Sequence, residues 1–327
     1  MRPLESTPAP IAVRGRGEST FMIRIDNLVK TFGAKRAVDG ISFSVERGEV
    51  VGFLGPNGSG KSTTMRMITG FYPPTSGRVI VGGHDVAEQP LEAKRLIGYL
   101  PENAASYPDM TVESFLEFAA AMRGLDGAAR RKAVGHAIEM CFLSAVVQQS
   151  IDTLSKGYKH RTCLAQALIH DPEVLVLDEP TDGLDPNQKH EVRNLIRALG
   201  KTKAVVFSTH ILEEVDAACT RAIIIDRGRI VAHGTPGELR ARSTLEGAVT
   251  LEAEGATAEK LSVLGRVESV NGAFRIYPRD ASRGPELAAA VIELVNREGW
   301  KVRGMYSERG ELDEVFRSLT QPDTVKT

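Results

Sequence analysis

The segment Gly55-Pro56-Asn57-Gly58-Ser59-Gly60-Lys61-Ser62 constrains this chain more than any other. It fits G-x-x-x-x-G-K-[ST], which chance produces in about one chain in a hundred of this length at ordinary glycine frequency. Its setting says more than the match. Val50 to Leu54 is a near-continuous apolar run, as in a strand covered on both faces, and Lys61 to Ile68 reads as a helix. A glycine-rich turn between such elements aims backbone N–H groups and the positive helix end at one point in space. A phosphate chain fits there, with Lys61 against its terminal groups and Ser62 placed to ligate magnesium. The competing reading is an ordinary strand-to-helix turn, and the flanking strand and helix speak against it.

Val174-Leu175-Val176-Leu177-Asp178-Glu179 supplies the complement. Four apolar residues hold Asp178 at the C-terminal edge of a strand, where ligands bind in open α/β sheets. Asp178 can anchor the metal, and Glu179 beside it can polarise an attacking water. Alone, a strand ending in two acids is unremarkable; beside the phosphate loop it is the expected partner.

The chain's 327 residues suffice for about two domains. With 42% hydrophobic residues it can pack a core, and 41 basic against 42 acidic side chains give no global case for a nucleic-acid partner. No apolar run approaches the ~20 residues of a membrane-spanning helix, so work at a membrane would need another chain to span it. Cys141, Cys163 and Cys219 lack metal or redox spacing and read as buried cytosolic thiols. Residues 1–21 hold no secretory signal and read as a disordered extension. Strand alternation runs from Met22 to Leu54, a helical pattern from Thr111 to about Gln149, and a further helix follows Ser155. Ala204 to Ser208 is a strand ending at His210, and two short strands flank Arg227-Gly228. The reading is an α/β domain, 22–240, with a mostly parallel sheet. Residues 241–327 follow the order βαββαβ, with a hairpin at Asn271-Gly272, and suggest a small ferredoxin-like accessory domain closed by a helix at Glu311 to Leu319.

With these motifs in order, Ile23 to Leu239 resembles the ATP-binding subunit of ABC transporters. Leu154-Ser155-Lys156-Gly157-Tyr158 occupies the signature position, Gly183-Leu184-Asp185-Pro186 resembles the D-loop, and His210 the switch histidine. Phe32 stands where the family places an aromatic that stacks on adenine. Tyr99-Leu100-Pro101-Glu102, the Leu-Ser-Lys-Gly-Tyr signature and the terminal Leu312-Asp313-Glu314-Val315-Phe316 are most similar to bacterial type-2 exporter cassettes of the gliding-motility kind. The resemblance implies a P-loop ATPase cassette with an antiparallel β subdomain and a helical insertion. It implies ATP and Mg2+ as ligands. Nucleotide would be held by Phe32, Gly55, Pro56, Asn57, Gly58, Ser59, Gly60, Lys61, Ser62, Thr63 and Glu102, and the metal by Ser62, Glu102 and Asp178. Glu179 would be the base and His210 the γ-phosphate sensor; Ser155, Lys156, Gly157, Tyr158 and Asp185 would act on the opposite copy of a head-to-tail dimer. A separate permease would dock between Glu102 and Ser150, on the inner face of the cell membrane.

Four positions depart from the family pattern. Glu102 replaces a glutamine, adding negative charge near the triphosphate, and Phe32 replaces tyrosine. Lys156 replaces a glycine, beside Tyr158 in place of glutamine; Lys156 could attract the opposite phosphate or point to solvent. Other readings were a soluble ATPase of this class acting on nucleic acid or ribosomes, a GTPase, and a ligand-sensing regulator. A single cassette, no inserted coiled coil between Lys61 and Asp178 and no N-K-x-D-like motif weigh against the first two.

Overall fold

The computed structural model describes residues 21–279 and 284–320, so the expected N-terminal extension lies outside the described residues except for Phe21. Alternation builds β1 (Phe21–Phe32) and β2 (Lys35–Glu46), which bury Ile23, Ile25, Ile41, Phe43 and Val45. β3 (Val50–Leu54) is buried at every position and passes through the glycine loop into α1 (Lys61–Ile68). Four elements then follow that the sequence pattern did not announce: β4 (Ser76–Val81), β5 (His84–Asp85), α2 (Pro90–Leu96) and β6 (Ile97–Leu100). The strands among them are too short, or too close to Gly82-Gly83, to show a period. The helical stretch resolves into α3 (Val112–Met122) and α4 (Gly127–Met140), and α5 (Lys156–Leu168) starts at Ser155. The first unit continues with β7 (Val174–Asp178), α6 (Pro186–Leu199), β8 (Ala204–Thr209), α7 (Leu212–Ala218), β9 (Arg221–Asp226) and β10 (Arg229–Gly234).

Six strands form one sheet in the order β10-β9-β3-β8-β7-β6, with parallel pairing from β9 through β6. Its two faces are buried in different cores. Leu175, Leu177, Val205 and Phe207 pack among the helices, whereas Val174, Val176, Ala204 and Val206 pack toward the antiparallel sheet β2-β1-β4-β5. That alternation is why these strands read as continuous apolar runs. The order sets β3, β8 and β7 side by side in parallel, so the glycine loop, His210 and the acid pair emerge at one edge.

The second compact unit begins at Gly234. It contains α8 (Pro236–Arg240), β11 (Val249–Glu254), α9 (Ala258–Leu261), β12 (Arg266–Val270), β13 (Ala273–Tyr277), α10 (Gly284–Glu298), β14 (Lys301–Ser307) and α11 (Leu312–Leu319). The strands pair antiparallel in the order β12-β13-β11-β14, with the hairpin at Asn271-Gly272. Leu287, Val291, Leu294 and Val295 form one stripe of α10 against Val249, Leu251 and Ile276. In α11, Leu312 and Val315 are buried, while the Glu314 carboxylate accepts from the hydroxyls of Ser243 and Thr244 and from the Thr244 N–H at 3.2 Å. Glu314 thus bolts α11 to the turn after α8. Glu314→Ala should destabilise this unit by about 1–3 kcal/mol in urea titration while leaving nucleotide affinity unchanged.

Candidate functional site

At the shared sheet edge lies a cavity of about 340 Å³, lined by Phe32, Lys35, Ala37, Asn57, Gly58, residues 60–63, Glu102 and Glu179. Its floor is the glycine loop. A Cβ on Gly55 would lie 2.4 Å from the Ile225 carbonyl oxygen, and one on Gly60, whose φ is 113°, would lie 2.6 Å from that of Ala37. Glycine at both points lets the backbone press against β9 and β2 and turn its N–H groups outward. The buried Lys61 Nζ donates to the carbonyls of Gly55 (2.7 Å) and Pro56 (3.3 Å) and stands 3.7 Å from Glu179 Oε1. Burial pulls the lysine below its ordinary pKa, opposed by the charges of Glu179, Asp178 and Glu102. Ser59 Oγ is buried in the same loop with no hydrogen-bond partner among the described residues.

Asp178 is wholly buried at the end of β7. Its Oδ1 accepts from Ser208 Oγ at 2.5 Å and from Ser62 Oγ at 3.1 Å, while Oδ2 is buried with no hydrogen-bond partner among the described residues. An unpaired carboxylate oxygen beside a serine hydroxyl is a hard-oxygen donor set that fits magnesium. The exposed Glu102 borders the same cavity.

Glu179 adopts a φ of 52°, a left-handed conformation that costs a non-glycine residue about 1–3 kcal/mol. Its N–H donates to Ser208 Oγ at 2.9 Å, and its Oε2 lies 2.9 Å from His210 Nδ1. Burial raises its carboxyl above the usual range, and Lys61 and His210 restrain the rise. Phe32 is 44% exposed at the mouth, its ring edge-on to Tyr72 at 5.5 Å and 5.0 Å from Lys30 Nζ. It is a surface available for stacking, not a core ring.

The signature residues lie elsewhere: among the described residues, none of Ser155, Lys156, Gly157, Tyr158 and Asp185 lines this cavity. Ser155 Oγ caps α5 by accepting from the Tyr158 N–H, and Asp185 caps α6 by accepting from the Gln188 N–H at 2.9 Å. Lys156, exposed on the surface, donates to Asp182 Oδ2 at 2.6 Å and lays its chain over Gly183. A Cβ on Gly157 would lie 2.5 Å from Gln188 Oε1, the end of a side chain that can swing away, and 3.3 Å from Leu184 Cδ2. His160 on the same helix is buried, and the Lys156–Asp182 bond ties the start of α5 to the segment that follows Glu179.

Sequence reasoning passed over Ser208, which holds both acids, and also His160 and Asp182. The one available signal was the Ser208-Thr209 pair at the strand end before His210.

The family model described as ABC transporter matches residues 38–182. The chain is 37% identical over 274 residues to the linearmycin resistance ATP-binding protein LnrL of Bacillus subtilis, covering 84% of each chain. It is 35% identical over 310 residues to the Nod factor export ATP-binding protein I of Ralstonia nicotianae, covering 92% of this chain and 94% of that one. Among solved structures, a dimeric structure of MJ0796, described as a bacterial ABC transporter cassette, superposes with a TM-score of 0.62. That alignment has 25% identity over 66% of this chain and 99% of the other.

Lys61→Ala removes the buried cation and should weaken nucleotide binding about tenfold or more, the worth of a charge-assisted hydrogen bond. Equilibrium titration with a fluorescent nucleotide measures it.

Proposed function

The chain belongs to the ABC transporter family as an ATP-binding subunit, and on that premise we propose that paired copies hydrolyse ATP to drive export through a separate membrane permease. The observation that carries this reading is a phosphate cavity holding Lys61 and Glu179, edged by Asp178 and His210, and bare of the signature residues of its own chain. A second copy facing head to tail would supply them.

The loop N–H groups and Lys61 bind the phosphates, Lys61 exchanging its carbonyl partners for them, while Phe32 stacks on the base. Ser62 and Asp178 would hold magnesium, which when bound would neutralise charge on the phosphate oxygens. Glu179 takes the proton of the attacking water, and His210 fixes the direction of its carboxylate. Glu102, which lines the cavity, would add negative charge beside the triphosphate. Ser155 and Gly157 of the opposing copy close on the γ-phosphate. Moving such a pair from mostly open to mostly closed needs about 5.5 kcal/mol of differential binding, so each of two nucleotides supplies about half, a few charge-assisted hydrogen bonds apiece.

No helix among the described residues is long and apolar enough to cross a membrane. The permease contact belongs to α3 and the loop before it. Tyr107, Phe118 and Met122 stay exposed there, Tyr107 edge-on to Phe118 at 5.5 Å. Export is supported by the names of the relatives, one a resistance protein and one a Nod factor exporter. The working place follows: the inner face of the cell membrane.

Glu179→Gln should cut turnover about a hundredfold or more, the typical contribution of a positioned base, while nucleotide affinity is retained; a coupled phosphate-release assay reads it. Mixing Ser155→Ala with Lys61→Ala protein should restore ATPase activity that neither has alone, because one of the two shared sites is then intact. No recovery on mixing would contradict the shared site.

A further inference from the structure

Glu214, on α7, is 1% exposed. Its two carboxylate oxygens accept from two threonine hydroxyls, Oε1 from Thr181 and Oε2 from Thr209 at 2.6 Å. Both threonines are buried, and Arg193 Nη2 from α6 stands 3.9 Å from Oε1. Thr181 lies two residues beyond Glu179, and Thr209 immediately precedes His210. One carboxylate therefore ties together the two segments whose side chains meet at 2.9 Å between His210 Nδ1 and Glu179 Oε2.

Both threonine hydroxyls direct their protons to the acid. Thr209 Oγ1 already accepts from the Ile211 N–H at 2.9 Å, so its single proton is directed to Glu214. The side chain at 214 accepts twice, once from each threonine. An amide of the same shape accepts with its oxygen only and turns an NH2 group toward the second hydroxyl. A buried carboxylate is also an expensive way to fill space, and an apolar side chain would pack there at less cost. What the acid adds is the tie.

We propose that Glu214 is a positioning residue for hydrolysis: through Thr181 and Thr209 it keeps Glu179 and His210 in contact and the Glu179 carboxylate aimed into the cavity. This rests on the ATPase reading above. Among the described residues the Glu214 carboxylate bonds Thr181 and Thr209 and not the glycine loop, so its effect falls on turnover and not on affinity.

The test is steady-state ATPase activity of the full chain with magnesium-ATP in wild type, Glu214→Gln, His210→Ala and the double variant, with ATP affinity measured in parallel. Glu214→Gln should lower kcat about tenfold, as a small misplacement of a reacting group does, and leave ATP affinity within about twofold. In the His210→Ala background the same change should alter kcat less than about twofold, because the contact it protects is already gone. Wild-type kcat in Glu214→Gln overturns the inference. So does an equal tenfold loss in both backgrounds, the mark of a general structural role. Should Glu214→Gln not fold, Thr181→Val is to lose turnover and Thr181→Ser to keep it, and full turnover in Thr181→Val overturns the tie. Wild-type protein without ATPase activity would overturn the functional reading as well as this inference, whereas an active wild type with a fully active Glu214→Gln overturns the inference alone.

Discussion

The buried ammonium of Lys61 is the interaction on which the rest of the site depends. A cation taken out of water must be paired or solvated by dipoles, and here two loop carbonyls and the Glu179 carboxylate do both. That arrangement fixes the loop's curl at one end and the strand-end acid at the other. It also leaves a cation whose partners a phosphate chain can replace, which is why the cavity is preformed around it. The parallel alignment of β3, β8 and β7 makes the meeting possible, since each strand delivers one component to the same edge.

The acids are held apart in function by their surroundings. Asp178 accepts from two hydroxyls and keeps one oxygen unpaired, a ligand's environment. Glu179 carries a left-handed backbone and a burial-raised carboxyl restrained by Lys61 and His210. Ser208 stands between them, donating to one and accepting from the other's N–H. The signature helix is joined to this centre from outside the cavity, by Lys156 on Asp182. The Lys156–Asp182 pair is exposed on both sides, so it is worth only about 0–1 kcal/mol.

What could be read in the sequence was local. The glycine loop, the acid pair and the strand leading to His210 are each a short run whose chemistry and flanking pattern coincide. Ser208, Thr181 and Glu214 were not legible, because each has a partner about 30 residues away and nothing in a serine or threonine announces it. β5, α2 and β6 escaped for a different reason, being too short to show their own period, and β4 runs straight into Gly82-Gly83. Lys156 shows the limit from the other side. Its departure from the family pattern was plain, yet its partner Asp182 is set by the loop after β7. The Asn271-Gly272 hairpin, by contrast, is a two-residue signal and stands where the sequence put it.

The central claim is that this cavity holds a triphosphate on Lys61 and is completed by a second copy. A crystal structure of the Glu179→Gln protein with magnesium-ATP tests it most directly. The account predicts Lys61 Nζ moved from the Gly55 carbonyl to the phosphates, a metal between Ser62 and Asp178, and Ser155 and Gly157 of a facing copy on the γ-phosphate. Nucleotide bound away from the glycine loop, or a γ-phosphate enclosed by residues of one copy alone, would contradict it.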